Sequence, residues 1–259
     1  MQSAVLDTAG SLLGVADPAP FEVVNGESAE ELVLVCEHAG QEIPAALGDL
    51  GLAPGKMDLH IAYDIGAGAV SLRIAERLGV PLLLQPYSRL VVDCNRPVRS
   101  HEAILEVSDG VEIPGNMDLT STERQQRFDE IFEPFHEAVT NVIDRHPRRL
   151  VIAVHSFTPE LAGDKRPWDI GFVFRKDTMT SQKLAASIGE LEPGLMIGMN
   201  EPYTVGELTD WFVPHHGERR AIAHSLIEIR NDHLDTDKKL DRWADLLCRT
   251  IENVLGDIG

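Results

Sequence analysis

Positive charge is scarce in this chain of 259 residues, which has 23 Lys and Arg against 42 Asp and Glu and a formal net charge of −19. Proteins that track phosphates need clustered cations, so the deficit argues against nucleic acid or an anionic membrane surface as the main partner. Cysteine is scarce too: Cys36, Cys94 and Cys248 form no Cys-x-x-Cys pair. This excludes a disulfide framework and a zinc ribbon, and we expect a reducing, cytoplasmic setting.

Long apolar runs are also missing. No segment approaches the ~20 apolar residues of a membrane helix, and the N-terminus lacks the basic start and apolar run of a signal peptide. The composition is otherwise ordinary for a globular protein, with 43% hydrophobic and 25% charged residues. Residues 1–30 are rich in small, acidic and turn-forming residues, so we expect a loosely attached N-terminal arm, followed by one domain over residues 31–259.

Short runs rich in Leu and Val, typical of buried strands, alternate with helical patterns. The predicted strands are Leu32–Cys36, Val80–Gln85, Leu150–Val154, Ile170–Phe174 and Ile222–Ile229. The predicted helices are Ile65–Leu78, Thr120–His146, which Pro134 should kink, and Asp237–Leu255. This alternation predicts a single-domain α/β fold, a three-layer sandwich whose mixed, largely parallel sheet is covered on both faces.

Two histidines, His38 and His155, each follow a buried strand. In open α/β sheets, ligands bind beyond the carboxyl ends of the strands, so both imidazoles could reach one metal ion there. A catalytic zinc site commonly takes two His and one carboxylate and leaves a position open. Asp64, before a glycine-softened helix start, is the best placed carboxylate, and Glu42 is the competitor. For each histidine alone, a surface or hydrogen-bonded side chain is the competing interpretation.

Glu228 lies among apolar residues in the last predicted strand. Burial raises the pKa of a carboxyl group, as a general base requires. The competing interpretation is a core ion pair with Arg230, which lies two residues along on the same strand face.

Asn95 and Arg96 offer an amide beside a planar guanidinium, a pair that can grip a substrate carboxylate through parallel hydrogen bonds. Arg89 is expected to share that face. A structural salt bridge from Arg89 or Arg96 to Asp93 explains the same spacing equally well, so both interpretations stay open at this point.

Several segments, in the same order along the chain, resemble the N-formylglutamate amidohydrolase family over about residues 33–233. The most specific block is Tyr87-Ser88-Arg89-Leu90-Val91-Val92-Asp93-Cys94-Asn95-Arg96-Pro97. The others are Glu37-His38-Ala39-Gly40 with Ile43-Pro44, Asp64-Ile65-Gly66-Ala67, Val154-His155-Ser156, and His216-Gly217 followed by Ile227-Glu228-Ile229. The resemblance implies a fold like that of zinc exopeptidases, related to carboxypeptidases and aspartoacylase.

The same resemblance implies roles for individual residues. His38, Asp64 and His155 would bind Zn²⁺, and Glu228 would be the general base. Asn95 and Arg96 would hold the substrate carboxylate. Related zinc exopeptidases take their carboxylate ligand three residues after the first histidine, where this chain has Gln41, with Glu42 one residue later. The choice between Asp64 and Glu42 therefore stays open at this stage.

The expected activity is metal-dependent hydrolysis of a small-molecule N-acyl amino acid, with N-formyl-L-glutamate, giving formate and L-glutamate, as the leading substrate. An acidic chain repels an anionic substrate at long range, so we expect a locally positive crevice built from Arg89, Arg96 and Arg230. The alternatives are a deacylase like carboxypeptidases or aspartoacylase that acts on another acyl amino acid, and a non-catalytic binding protein. No role is assigned to His215 or His216, and the oligomeric state stays open.

Overall fold

The computed structural model describes residues 10–258, so the first nine residues of the predicted arm lie outside the described part. The helices in that part are α1 Ala67–Leu78, α2 Ser121–Arg127, α3 Glu133–Asp144, α4 Thr178–Leu191 and α5 Asp237–Asp257. The strands are β1 Glu22–Val24, β2 Leu32–Cys36, β3 Leu82–Leu84, β4 Val107–Ser108, β5 Val111–Glu112, β6 Leu150–Phe157, β7 Glu160–Leu161, β8 Asp164–Lys165, β9 Ile170–Val173, β10 Ile197–Met199 and β11 Ala223–Arg230.

Seven of the strands form one mixed sheet in the order β1-β3-β2-β6-β11-β9-β10. The four central strands β3, β2, β6 and β11 run parallel to one another. At one edge β1 pairs antiparallel with β3, and on the other side β9 pairs antiparallel with β11 and carries β10 parallel to itself. The mixed, largely parallel sheet is therefore confirmed.

Helices cover both faces of this sheet. Along β2 and β6, alternate residues point to opposite faces, as the period of two in a strand requires. Val33, Val35, Val151 and Ala153 belong to the core under α3, and Leu32, Leu34, Leu150 and Ile152 belong to the core under α1, α4 and α5. The structure is thus the predicted three-layer α/β sandwich. None of its described helices combines the length and apolar character needed to cross a lipid bilayer.

The described part of the N-terminal segment is attached to the domain more closely than expected. Leu12 is buried, and Glu130 accepts hydrogen bonds from the backbone of Leu12 and Leu13 at 2.9 Å each. Further along, Glu22–Val24 adds an edge strand to the sheet. Residues 10–24 therefore contribute both core and sheet contacts, whereas a loose arm would contribute neither.

A π-helical turn, Phe128–Phe132, joins α2 to α3 and leaves Pro134 in the first turn of α3. There a proline has no intrahelical hydrogen bond to lose, and the π turn absorbs the distortion predicted for this position. Arg127, at the end of α2, is buried and donates hydrogen bonds to the carbonyls of Val91 and Gly115, each at 2.9 Å. It also donates to the Asn116 side chain at 2.6 Å. The helix thereby anchors the loop that follows β3.

Candidate active site

Three buried side chains meet at the carboxyl ends of the central strands. His38 follows β2, His155 lies near the end of β6, and Asp64 lies just before α1. His155 Nδ1 lies 2.8 Å from Asp64 Oδ2, and His38 Nδ1 lies 3.3 Å from the same oxygen. The two Nδ1 atoms are 3.1 Å apart. The parallel sheet thus brings together residues that are up to 117 positions apart in sequence.

The outer nitrogens of both imidazoles are held by further carboxylates. His38 Nε2 lies 2.7 Å from Asp93 Oδ1, and His155 Nε2 lies 3.1 Å from Glu37 Oε2. With a cation between the two rings, donation from each Nε2 to its carboxylate would leave the lone pair of each Nδ1 free to bind that cation. Two lone pairs and the Asp64 carboxylate then converge, an arrangement that a cation between them stabilises. The donor set therefore fits a divalent metal ion.

The charges in this cluster are strongly coupled. Burial alone would raise the pKa of Asp64 and lower that of His155, but their mutual contacts outweigh burial. The pKa of Asp64 is lowered by His38 and His155, and the pKa of His155 is raised well above its usual value by hydrogen bonds to Asp64 and Glu37. The pKa of Asp93 is likewise held well below its usual value, against burial, by Arg89 and His38. The cluster therefore retains ionised carboxylates despite its burial.

Glu42, the competing carboxylate, lies elsewhere. Its side chain is exposed, and its backbone pairs with the loop after β3 through Pro86 and Ser88. The backbone amide of Asp64, in contrast, donates to the carbonyl of His38 at 3.0 Å, which fixes Asp64 beside the first histidine. The structure therefore groups Asp64, and not Glu42, with the two histidines.

Glu228 lies beside this cluster on the neighbouring strand. It is the register partner of His155 across the parallel β6–β11 pair, so both side chains leave the sheet on the same face. Glu228 is 5% exposed, and its Oε2 has no hydrogen-bond partner among the described residues. Burial raises the pKa of Glu228 to about 8, with the nearby negative charge of Asp64 adding to the effect and the positive charge of His155 opposing it.

The alternative ion pair between Glu228 and Arg230 is not formed. Arg230 instead contacts Asp232 at 2.8 Å and Asp169 at 3.2 Å, and it donates to the carbonyl of Trp168. Arg230 is not among the residues that line the cavity containing Glu228. Arg230 therefore does not contribute to the positive crevice, contrary to the expectation from the sequence.

A cavity of about 390 Å³ opens over the cluster. His38, Asp64, His155, Glu228, Arg89, Asn95 and Arg96 all line it. Arg89 donates to Asp93 Oδ2 at 2.7 and 3.1 Å and to Asp64 Oδ1 at 3.3 Å, so its charge is shared by two carboxylates. Arg89 therefore forms the salt bridge to Asp93 that the spacing allowed, and it also lines the cavity.

Asn95 and Arg96 occupy another part of the wall. The Asn95 side chain donates to Asp210 Oδ2 at 3.0 Å and accepts from the backbone amides of Trp211 and Phe212 at 3.1 and 2.9 Å. Arg96 Nη1 donates to the carbonyl of Thr209 at 2.7 Å. Asn95 thus mainly holds the loop around residues 209–212, and Arg96 contacts that loop and lines the cavity.

Sequence reasoning missed several groups in and around the cavity. The carboxylates that hold the histidines, Glu37 and Asp93, lie within recognised motifs, and the position of Glu37 directly before His38 was the available signal. Asp210 and Tyr203 lie in a loop with no periodic pattern. That loop closes against β9 because Gly171 has no side chain: a Cβ there would meet the Glu201 carbonyl oxygen.

His215 and His216, to which no role was assigned, do not line this cavity. His216 is fully buried, and its Nε2 lies 2.9 Å from Nδ1 of His136, whose Nε2 contacts the carbonyl of Cys94 at 2.7 Å. Burial lowers the pKa of His136 to about 3, so this pair is neutral. It links the π turn Val213–Gly217 to α3 as a structural contact.

Comparison with known proteins gives three findings. The model of the family described as N-formylglutamate amidohydrolase matches residues 30–234. A gene product of Agrobacterium tumefaciens is 32% identical, with a TM-score of 0.91 over 95% of this chain and 99% of that one. The N-formylglutamate amidohydrolase of Ralstonia eutropha is 19% identical and shares the fold, with a TM-score of 0.68 over 92% of this chain and 98% of that one. The search of curated proteins gave no match.

Proposed function

We propose that this chain, which belongs to the N-formylglutamate amidohydrolase family, hydrolyses the amide bond of an N-acyl amino acid in the cavity above the central strands. N-formyl-L-glutamate is the substrate that we expect, with formate and L-glutamate as products. The family membership supports amide hydrolysis, and the side chains that line the cavity support the rest of the proposal.

One observation carries the proposal. Two imidazole Nδ1 atoms and a carboxylate oxygen, contributed by His38, His155 and Asp64, lie within 4.8 Å of one another, and the buried carboxyl group of Glu228 lines the same cavity. Burying a carboxyl group without a hydrogen-bond partner is energetically unfavourable, so such a group in a cavity is a candidate for a catalytic role. The combination fits a hydrolase that uses a divalent metal, for which we propose Zn²⁺.

His38, Asp64 and His155 would hold the metal, which supplies Lewis acidity to a bound water and to the amide carbonyl. Glu228 would take a proton from the attacking water and return it to the amide nitrogen as the C–N bond breaks. A pKa raised above the usual range of a carboxyl group suits a group that both accepts and returns a proton near pH 7. Glu37 and Asp93 would keep the two imidazoles oriented throughout.

Arg96 is the residue that we propose for the α-carboxylate of the substrate. Arg96 lines the cavity, and its only ion pair among the described residues is a contact of 3.3 Å with the half-exposed Glu102. Asn95 would position Arg96 by holding the loop at Thr209, and Arg89 would offset the negative charge of Asp64 and Asp93. Binding at the carboxylate would fix the scissile amide against the catalytic groups.

The test measures bound metal and formate release from N-formyl-L-glutamate in the zinc-loaded parent and in Glu228→Gln. We expect about one zinc per chain in both proteins, and turnover in Glu228→Gln reduced by about 10²- to 10⁴-fold because general acid–base catalysis is lost. Glu76→Gln, at an exposed position on α1, is the matched control and should behave as the parent.

His155→Ala should lose both metal and activity, because it removes one of the three proposed ligands. A parent that binds no divalent metal, or a Glu228→Gln variant as active as the parent, would contradict the mechanism. If the parent binds metal but hydrolyses only compounds with a different acyl group, the proposed mechanism stands and the proposed substrate is wrong.

A further inference from the structure

Arg166 stands out among the arginines near the cavity because it has no carboxylate partner in the described part of the chain. Arg89 pairs with Asp64 and Asp93, Arg96 with Glu102, and Arg230 with Asp169 and Asp232. Within residues 10–258, no carboxylate lies within 4.0 Å of the Arg166 guanidinium, although the chain carries a net charge of −19. A half-buried cation without a counter-ion, in so acidic a protein, points to an anionic ligand.

Arg166 is held at the cavity by aromatic side chains. Its Nη1 donates to the hydroxyl of Tyr203 at 3.0 Å, and its guanidinium carbon lies 4.9 Å from the centre of that ring. It also lies 6.0 Å from the ring centre of Phe157. Tyr203 and Phe157 both line the cavity, whereas Arg166 itself does not, so these contacts fix the guanidinium directly beside two residues of the cavity wall without neutralising it.

The charge of Arg166 acts on groups inside the cavity. Burial lowers the pKa of His60, and the charge of Arg166 lowers it further. The same charge opposes the rise in the pKa of Glu228 that burial causes. Two groups lining the cavity thus experience the field of Arg166, as a bound carboxylate would.

We propose that Arg166, positioned by Tyr203, binds the side-chain carboxylate of an acidic N-acyl amino acid and so determines specificity for acidic over neutral substrates. The inference rests on the proposed function, in which Arg96 takes the α-carboxylate at a different part of the wall. Arg166 follows the β7–β8 hairpin, outside the strands β6 and β11 that carry His155 and Glu228. It therefore selects the substrate without taking part in the bond-breaking step.

The test compares N-formyl-L-glutamate with N-formyl-L-glutamine, which has nearly the same size but no side-chain charge. In Arg166→Gln we expect kcat/KM for the glutamate substrate to fall by about 10- to 100-fold, mainly through KM, because a hydrogen-bonded ion pair is lost. The value for the glutamine substrate should change by less than about threefold. Arg166→Lys should recover part of the loss, and Arg249→Gln, which removes an exposed charge on α5, should change neither value.

An equal fall for both substrates, no change for either, or a parent that prefers the glutamine substrate would overturn the role of Arg166. Failure of the proposed function looks different, because the parent would then hydrolyse neither compound. In that case calorimetry with L-glutamate and L-glutamine decides: weaker binding of glutamate alone in Arg166→Gln supports the inference. Equal effects on the two amino acids, or no binding of either by the parent, overturn it.

Discussion

Replacing Asp93 with asparagine tests whether the carboxylates behind the histidines matter for metal binding. One oxygen of Asp93 accepts from His38 Nε2 at 2.7 Å and from the backbone amide of Asn95 at 2.8 Å, and the other accepts from Arg89. An asparagine retains one acceptor oxygen, but its NH₂ group must then face another donor. The imidazole of His38 consequently loses either its orientation or its charge-assisted hydrogen bond.

Loss of such an outer partner weakens metal binding by about 10- to 100-fold, which corresponds to about 1.4–2.7 kcal/mol. Competition with a chelator at equilibrium measures the zinc affinity of the parent and of Asp93→Asn. Asp241→Asn is the matched control: Asp241 also pairs with arginine, through Arg73 and Arg77 of α1, but at an exposed position on α5. We expect its zinc affinity to equal that of the parent.

If Asp93→Asn binds zinc as tightly as the parent, the orientation of His38 does not depend on Asp93 and the reasoning fails. A loss of affinity in both variants would also refute it, because the effect would then follow from any broken arginine pair. The folded state of each variant is checked by circular dichroism before the titration.

Three further perturbations have defined outcomes. Burial raises the pKa of Asp210 to about 6 in the folded protein, so the free energy of unfolding should fall as pH rises from about 4 to 6. Asp210→Asn removes this dependence. In urea titrations, the free energy of unfolding of the variant should gain up to about 3 kcal/mol relative to the parent over that interval. Arg127→Met removes the donor to two buried acceptors and one partly buried acceptor and should lower the free energy of unfolding by about 3 kcal/mol, measured in urea. Saturating zinc should raise the melting temperature of the metal-free parent and leave that of His38→Ala nearly unchanged, because only the parent keeps all the proposed ligands.

The central strands and the positions of the two histidines could be predicted because buried parallel strands have a distinctive sequence pattern. Leu32–Cys36 is apolar throughout and is followed by polar residues, and the carboxyl ends of such strands meet at one edge of the sheet. In contrast, β1 has three residues with exposed and half-buried positions, and no such pattern identifies it. The attachment of residues 10–24 depends on tertiary contacts that local composition does not encode.

Side-chain partners were harder to predict than side-chain positions. Spacing allowed Arg89 either to pair with Asp93 or to face a substrate, and in the structure it pairs with Asp93 and also lines the cavity. The contact between the other Asp93 oxygen and His38 was not predicted. Arg230 shares a strand face with Glu228 in the pattern, but it is the last residue of β11 and turns to Asp169 and Asp232 beyond the sheet. Arg166 and Tyr203 lie 37 positions apart in sequence, with β9, α4 and β10 between them, so their contact arises only in the folded chain.

The register pairing of His155 with Glu228 has a consequence for how this scaffold can change its substrate. Both residues are built into adjacent strands of the core, so a backbone shift in either one would disturb the whole sheet. The β7–β8 hairpin and the loop around Tyr203 lie outside the core and can accept insertions or exchanges at much lower cost. Protein engineering that grafts new hairpins between Phe157 and Ile170 could therefore alter substrate choice while the reactive groups keep their spacing.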